Sequence, residues 1–292
     1  MASAYDTGTP ALTAQQRQQQ RSHHIEQVLK TLGAQPLVMG ILNVTPDSFS
    51  DGGQFNSHAS ALKQAHRLVR QGADILDIGG ESTRPGATEV GADDELARVA
   101  PVISSIASML DVPISIDTYK ARVADEAMIL GASIINDVWG LQRDPDMATV
   151  AADHGALVVA MHNRDTVDPN LDIMSDIARS FERSVRIARR AGIPDDRLIL
   201  DPGIGFGKDF DQNLTIVANL DVLRGFGFPL LMGLSRKRFL GAITGAPAEE
   251  RVIETMTANL WSLMHGANIV RVHDVGEHVA ARTALKGFAT GD

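Results

Sequence analysis

The feature that most constrains this chain is an alternation repeated eight times, in which a short apolar run is followed by a longer amphipathic segment. Strands buried on both faces read as short continuous hydrophobic runs, and helices between them make the crossovers that parallel strands require. Strands are predicted at Leu37–Leu42, Asp74–Ile78, Ile114–Asp117, Ser133–Asp137, Ala156–Met161, Arg197–Leu200, Pro229–Gly233 and Asn268–Val272. Helices are predicted near Ser57–Arg70, Asp93–Met109, Tyr119–Leu130, Asp146–Asp153, Ser175–Ala191, Asp211–Arg224, Ala248–His265 and Gly276–Phe288. Several helices run into glycine, as in Gln71-Gly72, Leu130-Gly131, Ala191-Gly192 and His265-Gly266, the expected left-handed stop before a turn into a strand. Eight such units point to an α/β fold closed as a (β/α)8 TIM barrel. An open doubly wound sheet is disfavoured, because no Gly-x-Gly-x-x-Gly follows the first strand. One barrel takes roughly 250 residues. The 292 residues therefore divide into an N-terminal extension over 1–35, flexible or helical, and a single barrel domain over 36–292.

Composition narrows the function classes. A net charge of −9 argues against a nucleic-acid partner, which calls for a basic face, while leaving room for an anionic substrate in a locally basic cleft. The absence of cysteine excludes disulfides, thiolate catalysis and cysteine-ligated metal centres. No stretch approaches the roughly 18 apolar residues of a membrane span, and Thr13 to His24 is dominated by Gln and Arg rather than the apolar core of a leader. The expectation is a soluble cytoplasmic protein that binds neither nucleic acid nor membrane.

In a barrel of this type the active site is built where the strands end, and those ends are polar here. The first strand delivers Asn43 and a long loop, the second Gly79-Gly80-Glu81-Ser82-Thr83-Arg84-Pro85-Gly86, the third Asp117, the fourth Asn136-Asp137, the fifth His162, the sixth Asp201, the seventh Ser235-Arg236-Lys237 and the eighth Arg271 and His273-Asp274. Any one of these could be only a helix cap. Asp117 could cap the next helix, and Asp77 and Asp137 could be hydrogen-bonded structural groups between strands. So many caps on one rim explain the pattern less well than a shared polar pocket. Arg271 and His273, two residues apart on a strand, project to the same side and would suit a phosphate or diphosphate. His58, His66, His154, His265 and His278 have no partner at ligand spacing and are read as structural or surface groups, and no histidine pair supports zinc. The glycine-rich segment Asp201–Lys208 lacks the ending of a P-loop. Its Phe206 is either a flat wall for a ring or a plug beneath the loop.

The strings themselves resemble the dihydropteroate synthase family. Gly40 to Gly53 is similar to its first signature and Asp77 to Gly86 to its second, and the segments around Asp117, Asn136, Met161, Asp201, Ser235 and Arg271 follow in order from about Pro36 to the C-terminus. The resemblance implies condensation of 6-hydroxymethyl-7,8-dihydropterin diphosphate with p-aminobenzoate, releasing pyrophosphate, in a sulfonamide-sensitive step of folate synthesis carried out by a homodimer. It implies that Asp117, Asn136, Asp201 and Lys237 hold the pterin, that Met161, Val138, Phe206 and Gly233 shape its slot, and that Asn43, Thr83, Arg84, Arg271 and His273 hold the diphosphate, with Asn43 near a Mg²⁺. Pro85, Ser235 and Arg238 join the substrate-binding set. Many family members carry serine where this chain has Arg238, so the contact to the p-aminobenzoate carboxylate would fall to the N-terminus of the following helix. Two rivals are a pterin-binding methyltransferase domain, for which Arg84, Arg271 and His273 would have no evident use, and a non-catalytic pterin-binding paralogue, which predicts loss of rim residues. On the penultimate helix, Ala258, Leu260, Trp261 and Met264 could carry a dimer interface, but facing the barrel is the favoured expectation.

Overall fold

In the computed structural model, residues 12–45, 53–82 and 88–290 are described. The elements run α1 (Ala14–Leu32), β1 (Leu37–Asn43), α2 (Gly53–Arg70), β2 (Ile75–Gly79), α3 (Ala92–Met109), β3 (Ile114–Asp117), α4 (Ala121–Leu130), β4 (Ile134–Asp137), α5 (Met147–His154), β5 (Leu157–Met161), α6 (Ile173–Ala191), β6 (Leu198–Asp201), α7 (Phe210–Ala218), α8 (Leu220–Arg224), β7 (Leu231–Met232), α9 (Arg238–Thr244), α10 (Val252–Met264), β8 (Ile269–Val272) and α11 (Val275–Thr290). All strand pairs are parallel, in the order β6-β5-β4-β3-β2-β1-β8-β7. A parallel bridge between Leu200 and Leu230 joins the two ends of the sheet. The result is the (β/α)8 barrel expected from the alternation.

Two apolar layers hold it together. Alternate strand residues such as Leu76, Ile78, Ile135 and Val158 face outward and pack with Ile103, Ile106 and Phe181 of the surrounding helices. The other set, Met39, Ile75, Ile134, Leu157, Val159, Ile199, Leu231 and Ile269, fills the barrel's lower interior and packs with Ile25 and Val28 of α1. Residues 14–32 of the N-terminal extension thus form a helix that covers the bottom of the barrel. Thr13 and Gln16 start it with a reciprocal capping box, at 3.3 and 2.8 Å. Gly72, Gly131, Gly192 and Gly266 have positive φ where their helices stop.

Three expectations need correction. The helix expected over Asp211–Arg224 is two helices, because Asn219 leaves helical geometry and donates its side-chain amide to the Thr215 carbonyl at 2.7 Å. Helix α9 was not anticipated. Trp261 and Met264 do not face the barrel: they are 48% and 69% exposed, while α10 turns Thr255, Asn259 and Ser262 inward. Ala258 alone of the four packs against the main core. Among the described residues no helix is long and apolar enough to cross a membrane.

Candidate active site

Parallel strands all end on one rim, so the last inward residue of each strand meets its neighbours there. Asp77, wholly buried in β2, is the hub. Its carboxylate accepts from the Ser115 hydroxyl at 2.6 Å, from the Asn136 amide at 3.3 Å and from Arg271 Nε at 2.6 Å. Arg271 Nη2 donates to Asp117 Oδ2, also at 2.6 Å. Burial opposes the Arg271 charge, but Asp77 and Asp117 outweigh it and raise its pKa further. Burial pushes the Asp117 carboxyl well above the usual carboxylate range despite Arg271. Asp117 Oδ1 is buried with no hydrogen-bond partner among the described residues. Asp117 does not cap α4, since Asp144 accepts from the Ala121 N–H instead at 2.8 Å.

Across the slot, Asp201 Oδ1 accepts from the Gly203 N–H at 2.7 Å, and burial raises its pKa to about 6. A Cβ added at Gly233 would stand 3.9 Å from Asp201 Oδ2, so this glycine keeps the wall open beside the carboxylate. Lys237 Nζ lies 4.2 Å from the centre of the Phe206 ring, within cation-π range. Burial and Arg271 lower its pKa to about 8. Phe206 is partly exposed with Lys237 over its face, which is the arrangement of a wall rather than a plug. Met161 and Val138 are buried nearby at the ends of β5 and β4. The loop after β6 has positive φ at Gly203, Gly205 and Gly207, and a Cβ at Gly203 would collide with the His162 carbonyl. Lys208 closes the loop, donating to the carbonyls of Gly203 at 2.7 Å, Phe206 at 2.9 Å and His162 at 3.4 Å.

The structure separates the pair read from β8. Arg271 turns to the two carboxylates, whereas the His273 Nδ1 atom meets the Ser235 hydroxyl at 2.8 Å and the His273 N–H donates to the same oxygen at 3.1 Å. Asn43 ends β1 opposite Gly79 at the rim, and Arg238 opens α9 on the exposed side. Thr83, Arg84 and Pro85 lie outside the described residues. Asp137 is a turn residue, accepting from the Trp139 and Leu141 N–H groups at 2.8 and 2.6 Å.

The reading of Asp77 as a structural group hydrogen-bonded between strands holds, but its pairing with Arg271 was missed, and so was Lys208. Sequence reasoning also missed a cluster below the second loop, where Lys120 bridges Glu81 and the buried Glu95 while Tyr119 donates to Glu81 and Glu89. The signal for Asp77 was present. A carboxylate within the apolar run Ile75–Gly79 requires a cationic or multiply donating partner, and among the described residues Arg271 is the one arginine inside a strand.

The family of pterin-binding enzymes matches residues 39–273. Dihydropteroate synthase of Bacillus subtilis is 52% identical over 239 residues, 82% of this chain and 84% of that protein. The structure of dihydropteroate synthase from Clostridium difficile with pteroic acid superposes with a TM-score of 0.85 at 46% identity, covering 88% of this chain and 97% of that one. The Xanthomonas albilineans enzyme with 4-aminobenzoic acid gives 0.85 at 43% identity, covering 88% and 94%. With its barrel, rim carboxylates and signature strings all in place, the chain belongs to the pterin-binding enzyme family.

Proposed function

We propose that the chain catalyses the dihydropteroate synthase reaction, joining 6-hydroxymethyl-7,8-dihydropterin diphosphate to p-aminobenzoate with release of pyrophosphate. The observation that carries this reading is the buried Asp117 Oδ1, which lacks a donor among the described residues and shares its slot with Asp201 and Lys237. A buried acceptor without a donor is costly unless a ligand supplies one. The N–H edge of a pterin does so for Asp117 and Asp201, while Lys237 donates to the carbonyl side. Asn136 contributes its amide, and Met161, Val138, Phe206 and Gly233 bound the ring.

The chemistry breaks the bond between the pterin methylene carbon and the diphosphate oxygen. The electrons leave with pyrophosphate, the ring stabilises the cation left behind, and the arylamine nitrogen forms the new bond and loses a proton. The protein's contribution is positional and electrostatic. Carboxylates face the developing positive ring, and Ser235, His273, Asn43, Thr83 and Arg84 serve the departing diphosphate. Arg271 orders Asp117 through Nη2. Pro85, Arg238 and the start of α9 would serve p-aminobenzoate. Mg²⁺ takes few protein ligands when it can share phosphate oxygens and water. Asn43, at the end of β1, would supply one amide oxygen, and the ion would neutralise charge on the leaving group. The methyltransferase reading gives His273 and Ser235 no leaving group to receive.

A cytoplasmic homodimer completes the proposal. The exposed Ile253, Trp261 and Met264 of α10 form an apolar face suited to a two-fold contact. Sedimentation is expected to give a dimer that Trp261→Asp converts to monomer, and a monomeric parent chain would remove this part. The main test is pyrophosphate release from the dihydropterin diphosphate with Mg²⁺, with and without p-aminobenzoate. Release that requires p-aminobenzoate and drops by about 10²-fold or more in Asp117→Ala and Lys237→Ala is expected. Pterin binding without release would overturn the synthase reading.

A further inference from the structure

We propose that Lys208 is a positioning residue for the pterin slot: it pins the loop after β6 against the end of β5 and thereby sets where the Phe206 ring and the Lys237 ammonium stand. The inference rests on the pterin-slot reading above.

Lys208 is only 7% exposed, yet among the described residues its Nζ donates to no carboxylate. Its three acceptors are carbonyl oxygens, two from its own loop and one from His162 at the end of β5. An ammonium has three N–H donors, so three carbonyls use all of them. A neutral amine would leave one carbonyl short and set a lone pair among oxygens. The contacts therefore select the cation, although burial, ahead of any neighbouring charge, lowers the pKa to about 7. Asp201 and Asp176 favour the charge, while Lys237 and Arg164 oppose it.

Among the described residues, the Lys208 bond to the His162 carbonyl is the hydrogen bond that joins this loop to the end of β5. The loop's three glycines, all at positive φ, lose more conformational freedom on ordering than other residues, so the loop needs outside contacts to hold its shape. The Gly205 N–H is tied to Asn213 at 2.7 Å, which anchors the loop to α7 rather than to the barrel. Lys208 ties it to the barrel, at both sides of Phe206. Phe206 in turn lies under Lys237 Nζ, and a Cβ at Gly205 would stand 3.3 Å from the Lys237 side chain. The same cation also lowers the pKa of Asp201, so Lys208 acts on two pterin-facing groups without touching the slot.

The test compares Lys208→Met, Lys208→Gln and Lys208→Arg in the full chain, reading unfolding, pteroic acid affinity, both KM values and the pH profile of kcat/KM. Lys208→Met is expected to weaken pteroic acid about 10-fold or more, the size of a lost charge-assisted hydrogen bond, with the p-aminobenzoate KM little changed. The part of its acid limb set by Asp201 is expected to move to higher pH, because Asp201 loses a neighbouring cation, while the part set by Asp117 stays. Lys208→Arg keeps the charge but cannot aim three N–H groups from one atom, so it should retain the acid limb and still bind pteroic acid more weakly. If Lys208→Met fails to fold, Lys208→Gln carries the same expectations. Parent-like pteroic acid affinity in the folded Arg variant, or an unmoved acid limb in the folded neutral variants, would overturn the proposal. Asp117→Ala is measured alongside: if it binds pteroic acid normally, the slot reading fails, and not the assignment of Lys208.

Discussion

The two ends of this barrel are built from the same strands and differ by one two-residue step. Near the bottom, Ile75, Ile134, Ile199 and Ile269 point inward and pack beneath α1. Two residues further along the same strands come Asp77, Asn136, Asp201 and Arg271. Because side chains alternate, a step of two residues keeps the inward direction while advancing roughly 6.6 Å. One layer therefore supplies burial and the next supplies chemistry. The lower layer makes no demand on geometry beyond filling space, whereas each member of the upper layer needs a particular partner.

The sharpest way to break this division is Asp77→Ala. It sits in the upper layer, but removing it leaves Arg271 with one carboxylate and deprives Ser115 and Asn136 of their acceptor. Urea unfolding is expected to show a loss of roughly 3–5 kcal/mol, the scale of a broken buried ion pair, together with loss of activity. A stability loss under about 1 kcal/mol would mean that the upper layer carries little of the fold, since that is within the range of ordinary substitutions. Next in size is Ile199→Ala, which should cost roughly 2–5 kcal/mol while leaving kcat/KM unchanged at temperatures where the protein stays folded. A parallel fall in kcat/KM would show that the layers are coupled. The smallest effect is on pH dependence. Asp117 and Asp201 must be ionised to accept from the pterin and Lys237 must be protonated to donate, so kcat/KM for the pterin should fall on the acid side as Asp117 protonates near pH 7 and Asp201 near pH 6, and on the alkaline side above about pH 8. In Lys237→Arg the alkaline limb should disappear, and its persistence would assign that limb to another group.

The fold was legible because its signals are local. Apolar runs marked the strands to within a residue or two, and Gly72, Gly131, Gly192 and Gly266 marked where helices stop. The break at Asn219 was hidden because a single side-chain bond to Thr215 decides it. The face of α10 was misread for a different reason: its inward residues are the polar Thr255, Asn259 and Ser262, each with a partner that sequence does not announce. In the site, the rim residues could be named from strand ends, but their pairing could not. Arg271 and His273 share a strand and a side, yet the carboxylates claiming Arg271 come from β2 and β3, about 150 or more residues away in sequence. Long-range charge pairing of this kind is set by closure of the barrel, which no local pattern encodes.

The glycine loop after β6 has a consequence for genetics. At Gly203 any side chain strikes the His162 carbonyl, and at Gly207 any side chain strikes Arg164, although no role in contacting substrate falls to either position. A saturation library selected for growth without supplied folate would return these codons almost unaltered, next to exposed positions such as Asp211 that accept many replacements. The map of intolerant codons would then outline the loop's backbone path as clearly as the substrate's contacts, and resistance to a slot-directed inhibitor would have few routes through this segment.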